Sequence, residues 1–88
     1  KASVSPFYAK YSELQKANPD SIVVYRLGDF YEVMGEKAEQ AANILDLTLT
    51  GRNVGLDERI PMCGFPDTSR KCGISHIQNR FRVSIPTL

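Results

Sequence analysis

Residues Gly28-Asp29-Phe30-Tyr31-Glu32 bring a turn signal, two aromatics and a carboxylate within five positions. On a strand, Phe30 and Glu32 share one face, because side chains alternate with a period of two. Phe30 and Tyr31 then face opposite ways, and one of them belongs to the core. The residue pattern alone favours Phe30 inside, since aromatics on short strands are usually packed. The segment is not a phosphate-binding loop: the glycine spacing is wrong and no Gly-Lys-Ser/Thr follows. His76 has no nucleophile at a meaningful spacing, so no hydrolytic or transfer chemistry is supported. Glu36 and Glu39 read as solvated acids at a helix start. Cys63 and Cys72, nine apart with His76 nearby, supply too few ligands for a structural zinc site and read as two free thiols.

The elements that must position these residues are legible in outline. Ser5-Pro6 suits a helix start: the serine hydroxyl can accept an orphan N–H, and proline at the first helical position loses no bond. Phe7, Tyr11 and Leu14 recur at i, i+4 and i+7, one apolar helix face, and Asn18-Pro19 ends it. Ser21 to Leu27 is β-branched and nearly all apolar, which predicts one strand covered on both faces. Gly28-Asp29 signals a turn, and Phe30 to Met34 a second strand paired as a hairpin.

Gly35 leads into a second helix over Glu36 to Asp46, whose Ala38, Ala41, Ala42 and Leu45 form a close-packing face. Leu47 to Thr50 alternates and predicts a third strand. Residues 51–59 read as a loop. Ile60 to Pro66 is extended, but its two prolines predict an edge or a loop and not a central strand. From Asp67 to Asn79 no clean apolar face emerges and Gly73 interrupts the run, while Phe81 to Ile85 predicts a short strand. This order predicts a small α/β (α+β) fold, a mixed sheet flanked by helices.

At 88 residues, with 42% hydrophobic and 24% charged positions, the chain is one small globular domain or part of one. A fold this size hides only roughly 60–65% of its unfolded surface, so modest stability is expected. No apolar run approaches the roughly 20 residues of a membrane span, and the start shows no secretory h-region. The net charge of +1 is uneven: residues 1–66 hold seven Lys/Arg against nine Asp/Glu (−2), and residues 67–88 hold four against one (+3). The first two thirds therefore lack the basic footprint of an autonomous nucleic-acid binder.

Tyr25-Arg26-Leu27-Gly28-Asp29-Phe30-Tyr31-Glu32 resembles the mismatch-recognition segment of the MutS family of DNA mismatch repair proteins. The resemblance continues through Ala41 to Thr50 and Ile60 to Pro66, and covers about 60 residues in collinear order from Ser5-Pro6. It implies a MutS N-terminal domain-like fold. It makes Tyr31 the core residue, Phe30 an exposed wedge, and Glu32 a hydrogen-bond partner of a mispaired base. An apolar wedge between base steps unstacks and kinks the duplex at a cost of about a few kcal/mol per step. A mismatched step is already poorly stacked, so mismatches are read as deformability. A buried carboxylate without a partner is penalised on normal DNA, so Glu32 is expected to select partly by repulsion and to bind its base protonated, because phosphates favour that form. Arg52 is the candidate phosphate contact, against a solvated loop arginine, and Met62 a minor-groove loop contact, against plain packing.

The resemblance implies mismatched double-stranded DNA and the remaining MutS-like domains as partners, a cytoplasmic location (nucleoid-associated if bacterial), and no membrane. It implies no cofactor or metal in this chain, and no catalysis by it; ATP and magnesium belong to the parent protein's ATPase domain. Past Pro66 the family pattern of Tyr-His, amphipathic helix and apolar strand gives way to Asp67-Thr68-Ser69-Arg70-Lys71-Cys72-Gly73. The chain therefore divides into a MutS domain I-like core, 1–66, and a tail, 67–88, either diverged or displaced by a reading-frame slip. A rival reading is a MutS-like fold reused as a non-repair DNA- or protein-binding domain in a multidomain, for example mobile-element, protein.

Overall fold

The first helix begins where serine and proline can start one. The computed structural model describes residues 5–53, 55 and 59–86, the side chain of Arg52 excepted. In helix α1 (Pro6–Ala17) the Ser5 hydroxyl accepts from the Tyr8 N–H at 3.2 Å. The helix closes on Asn18, whose side-chain amide donates to the Leu14 carbonyl at 2.9 Å. Tyr11 is buried, and Phe7 and Leu14 lie partly buried on the same face.

The segment predicted as one strand over 21–27 is two: β1 (Ser21–Val23) and β2 (Tyr25–Leu27), in different sheets. β1 runs parallel to β6 (Arg82–Ser84), whereas β2 pairs antiparallel with β3 (Phe30–Met34). The break falls at Val24, whose N–H still donates to the Ser84 carbonyl at 2.9 Å. The other edge of β1 is occupied by a side chain: Gln15 donates to the Ser21 carbonyl at 2.7 Å and accepts from the Val23 N–H at 3.2 Å. A carboxamide thus takes the place of a neighbouring strand. The expectation of cover on both faces holds here: Ile22 and Val24 enter one hydrophobic core, Val23 and Tyr25 the other.

The second sheet is antiparallel throughout, with β2 beside β3, then β5 (Ile60–Pro66), then β4 (Thr50–Arg52) at the far edge. β4 is Thr50–Arg52, not the predicted 47–50. The reason is the end of helix α2 (Glu36–Leu45): Asp46 turns left-handed (φ 54°), and the Leu47 N–H reaches back to the Ala42 carbonyl at 2.9 Å. That closure of the helix uses Leu47, which packs on the core, so the strand starts later.

β5 (Ile60–Pro66) corrects the sequence expectation most sharply, since it lies between β3 and β4. Its prolines are tolerated for identifiable reasons. The Pro61 carbonyl accepts from Gly35 N–H at 2.9 Å, so its missing N–H faces the Gly35 carbonyl, which instead accepts from Ala38 of α2 at 3.0 Å. Pro66 lies beyond the stretch that β4 covers, which ends at Met62. Neither proline leaves a ladder acceptor waiting.

After a 3₁₀ turn (Asp67–Ser69), the segment without a clean apolar face forms helix α3 (Arg70–Gln78). Its buried face is Gly73, Ile74 and Ile77. Gly73 is the reason the face is hard to read, because a Cβ there would stand 2.8 Å from the Phe65 ring. A missing side chain lets helix and sheet approach, at a helix-propensity cost of about 1 kcal/mol. α2 and α3 cover one face of the four-stranded sheet with Tyr31, Val33, Cys63 and Phe65 beneath them; α1 covers the other with Tyr11, Tyr25 and Met34.

One hydroxyl joins these parts. Tyr11 Oη donates to the Val23 carbonyl at 2.7 Å and accepts from the Met34 N–H at 3.0 Å. Tyr11→Phe leaves both backbone groups buried without that partner and should cost about 1–3 kcal/mol in urea unfolding of the chain. A loss below about 0.5 kcal/mol, the scatter of ordinary surface substitutions, would contradict the role.

Burial also pushes the Cys63 thiol up to about 11, from an ordinary 9.0, and the Tyr11 phenol above its usual range. Both groups hold their protons more tightly folded than unfolded. Stability from Cys63 is therefore complete below about pH 9 and lost as pH rises towards 11; Tyr11 adds a further loss above about pH 10. The Cys63 contribution is on the order of 2–3 kcal/mol over that window. Cys63→Ala should flatten the fall between pH 9 and 10 in urea titrations, and an unchanged slope would contradict it.

Candidate nucleic-acid interface

The β2–β3 hairpin turns on two residues, Gly28 and Asp29, with Gly28 at φ +61° and Leu27 directly opposite Phe30. A positive φ at the first turn position alone is the pattern of a type II′ turn, which suits the twist of paired strands and favours glycine there. The turn is tied down behind. Asp67 N–H donates to the Asp29 carbonyl at 2.7 Å, and Arg26 Nε donates to the Gly28 carbonyl at 3.1 Å. The tip is thus anchored from the start of the 3₁₀ turn as well as by its own strands.

Tyr31 is 3% exposed and stacks on Phe65, ring centroids 5.7 Å apart. Phe30 is 48% exposed, reversing what the residue pattern alone favoured. The physical reason is the position of the helices. Tyr31 faces α2 and α3, whereas α1 covers the Phe30 face only farther back, at Tyr25 and Met34.

Glu32 shares the face of Phe30 but is 8% exposed. It lies opposite Tyr25 on one side and Gly64 on the other, roughly 7 Å behind the tip at strand spacing. Gly64 makes that recess: a Cβ there would meet the Tyr31 carbonyl at 2.9 Å and Glu32 Cγ at 3.4 Å. Met62, opposite Met34, stands one row deeper on the same face. It is a strand residue partly buried against Tyr11, Val23, Tyr25 and Met34, not a loop residue. Arg52 ends β4 opposite Ile60, and its side chain lies outside the described residues. Phe30, Glu32 and Met62 therefore form a row on one sheet face, running from an exposed tip to a packed interior.

Sequence reasoning passed over Leu27, read there as part of a fully covered strand. It is 39% exposed and sits beside Phe30 on the same face. The signal was available: in a two-residue hairpin the residues flanking the turn are cross-strand partners. Two large apolar side chains held outside the core at the end of a braced hairpin can insert between stacked groups and bring little polar capacity with them. Arg26 was likewise unassigned; it alternates to the Tyr31 face, its guanidinium carbon 5.7 Å from the Tyr31 ring centroid.

Among the described residues other chemistry finds no comparable assembly. Among the described residues no three His, Cys, Asp or Glu are grouped to hold a metal ion. Cys63 and Cys72 are free thiols, the first buried and the second exposed. His76 Nδ1 donates to the Cys72 carbonyl at 2.7 Å, and the exposed Cys72 thiol lies 3.5 Å from the same nitrogen, a nucleophile that the spacing alone did not pair with it. No described helix is long and apolar enough to cross a membrane.

Comparison with known proteins shows the family of the chain. The family model described as MutS domain I matches residues 5–85. A protein of Alkaliphilus metalliredigens named DNA mismatch repair protein MutS is 41% identical over 85 residues, covering 96% of this chain and 10% of that protein. Its namesake in Clostridium novyi is 43% identical over 84 residues, covering 94% and 9%. The one in Desulfitobacterium hafniense is 52% identical over 62 residues, covering 70% and 7%. The chain spans about a tenth of the length of the curated relatives it matches. With the family match extending over nearly all of its length, the chain belongs to the MutS domain I family.

Proposed function

We propose that this chain is the mismatch-reading domain of a MutS-type DNA repair protein, and that Phe30 is its wedge. The observation that carries this reading is the exposed Leu27–Phe30 pair on a hairpin braced from behind. Entry of Phe30 between base steps costs unstacking energy that a mismatched step has already lost in part. Glu32, recessed one row back, meets a base only where the duplex opens far enough to reach it. On well-paired DNA its carboxylate stands near phosphates of like charge, which opposes binding. Arg52 at the end of β4 is the proposed phosphate contact, and Met62 packs beneath the site and supports its floor.

The relatives bear the name of a mismatch repair protein about ten times the length of this chain. The proposal therefore includes a longer parent whose other domains bind ATP and magnesium and close on DNA, with mismatched duplex as the shared ligand. The tail from Asp67 is proposed to be a diverged part of the same domain. The family match running to residue 85 and the burial of Ile74 and Ile77 favour this over a frame slip.

In the full-length protein, Phe30→Ala should remove most of the preference for a mismatched over a perfect duplex, tenfold or more, while leaving perfect-duplex affinity nearly unchanged. Titration of both duplexes by fluorescence anisotropy measures this. A preserved ratio would overturn the wedge. Glu32→Gln should narrow the same ratio by tightening perfect-duplex binding; discrimination unchanged at every pH would rule out selection by the carboxylate.

A further inference from the structure

The hairpin has a second face that the wedge does not use. Arg26 lies opposite Tyr31 in the β2–β3 register, so it occupies the face away from Phe30. Arg70, the first residue of α3, comes to the same ring from another element. The two guanidinium carbons stand 5.7 and 5.8 Å from the Tyr31 centroid. Lys71 follows, exposed like Arg70. Two cations from two elements thus meet beside the turn that holds Phe30, and an exposed lysine follows the second of them on α3.

Their placement is electrostatically unfavourable for the fold itself. The start of a helix is its positive end, where acids are stabilising and cations are not. The first turn of α3 has no acidic residue, and Ser69 makes no side-chain cap bond. Two carboxylates belong to this corner, Asp29 in the turn and Asp67 in the 3₁₀ turn. Asp67 Oδ1 is 3.6 Å from Arg26 Nη1, beyond hydrogen-bond length, so it holds Arg26 without consuming its fork. Among the described residues no carboxylate lies within ion-pair distance of Arg70 or Lys71. Arg70, set against a helix dipole and held on the same ring as Arg26, is arranged for an anion from outside.

We propose that Arg26, Arg70 and Lys71 are phosphate-contacting residues that grip the nucleic-acid backbone beside the point where the hairpin enters. The inference rests on the reading of this domain as a DNA binder. A minor groove is about 6 Å wide and walled by phosphates on both strands. A hairpin that turns an apolar face to the base steps must turn its other face to such a wall. The cations of that face supply sequence-independent affinity, which the −2 charge of residues 1–66 does not. The +3 tail thereby acquires a task, since the start of α3 carries Arg70 to the hairpin with Lys71 next to it in the chain.

The test is the salt dependence of binding by the full-length protein to perfect and mismatched duplexes. Arg70→Gln with Lys71→Gln should weaken binding to both by a similar factor. The slope of log affinity against log salt should fall by about 0.9 for each lost contact, with the mismatch ratio preserved. The thermal midpoint should not fall by more than a degree or two, because cations are removed from the positive end of a helix. Asp67→Asn, which removes the negative charge 3.6 Å from the Arg26 guanidinium, should strengthen binding to both duplexes. An unchanged slope in the double variant, with the mismatch preference intact, would overturn the phosphate assignment and leave the wedge standing. A protein whose wild type shows no mismatch preference, but whose double variant still loses slope, would overturn the wedge and leave the phosphate assignment standing.

Discussion

The hydroxyl of Tyr11 holds together parts of the chain that no strand ladder connects. It lies between the Val23 carbonyl, where the chain leaves the two-stranded sheet, and the Met34 N–H, at the inner end of β3. Both groups are buried, and each would otherwise lack this partner at the place where one sheet gives way to the next. Because Tyr11 sits on α1, the same bonds seat that helix against the β3 face. The inner end of the hairpin is therefore fixed, and its outer end projects from a rigid base. A wedge needs such a base, since unstacking energy spent on bending a loose hairpin does not reach the DNA.

The consequence is a graded face. Met34 and Tyr25 at the inner end lie under α1, Glu32 is recessed between Tyr25 and Gly64, and Phe30 with Leu27 stands outside. On the opposite face α2 and α3 cover Tyr31, Val33 and Phe65. The asymmetry follows from helix placement and not from strand composition, since Phe30 and Tyr31 are equally suited to a core. It also gives the hairpin two different flanks, one apolar and one bearing Arg26 and Arg70.

Local chemistry was legible in the sequence, and pairing was not. The Ser5 cap, the stop at Asn18, the turn at Gly28 and the alanine face of α2 each depend on residues a few positions apart, and each appears where those residues predict. The division of 21–27 at Val24 depends on β6, some sixty residues away, and on the Gln15 side chain. The central place of β5 depends on Gly35 giving its carbonyl to α2, which makes Pro61 harmless. Helix α3 escaped notice because its most tightly packed position is a glycine fitted to Phe65. Of the proposed site, Phe30 and Glu32 come from the family resemblance; Leu27 and the cationic flank require the register and the fold.

Entry of Phe30, held outside the core on a braced hairpin, into DNA at a mispair is the proposed act of recognition. It is tested most directly by placing a photoreactive benzophenone side chain at position 30 of the full-length protein and mapping its adducts on duplexes with and without one mismatch. The wedge predicts adducts concentrated at the mismatched step and its immediate neighbours, with little on the perfect duplex. Adducts spread evenly along both duplexes, or formed equally well without a mismatch, would contradict it.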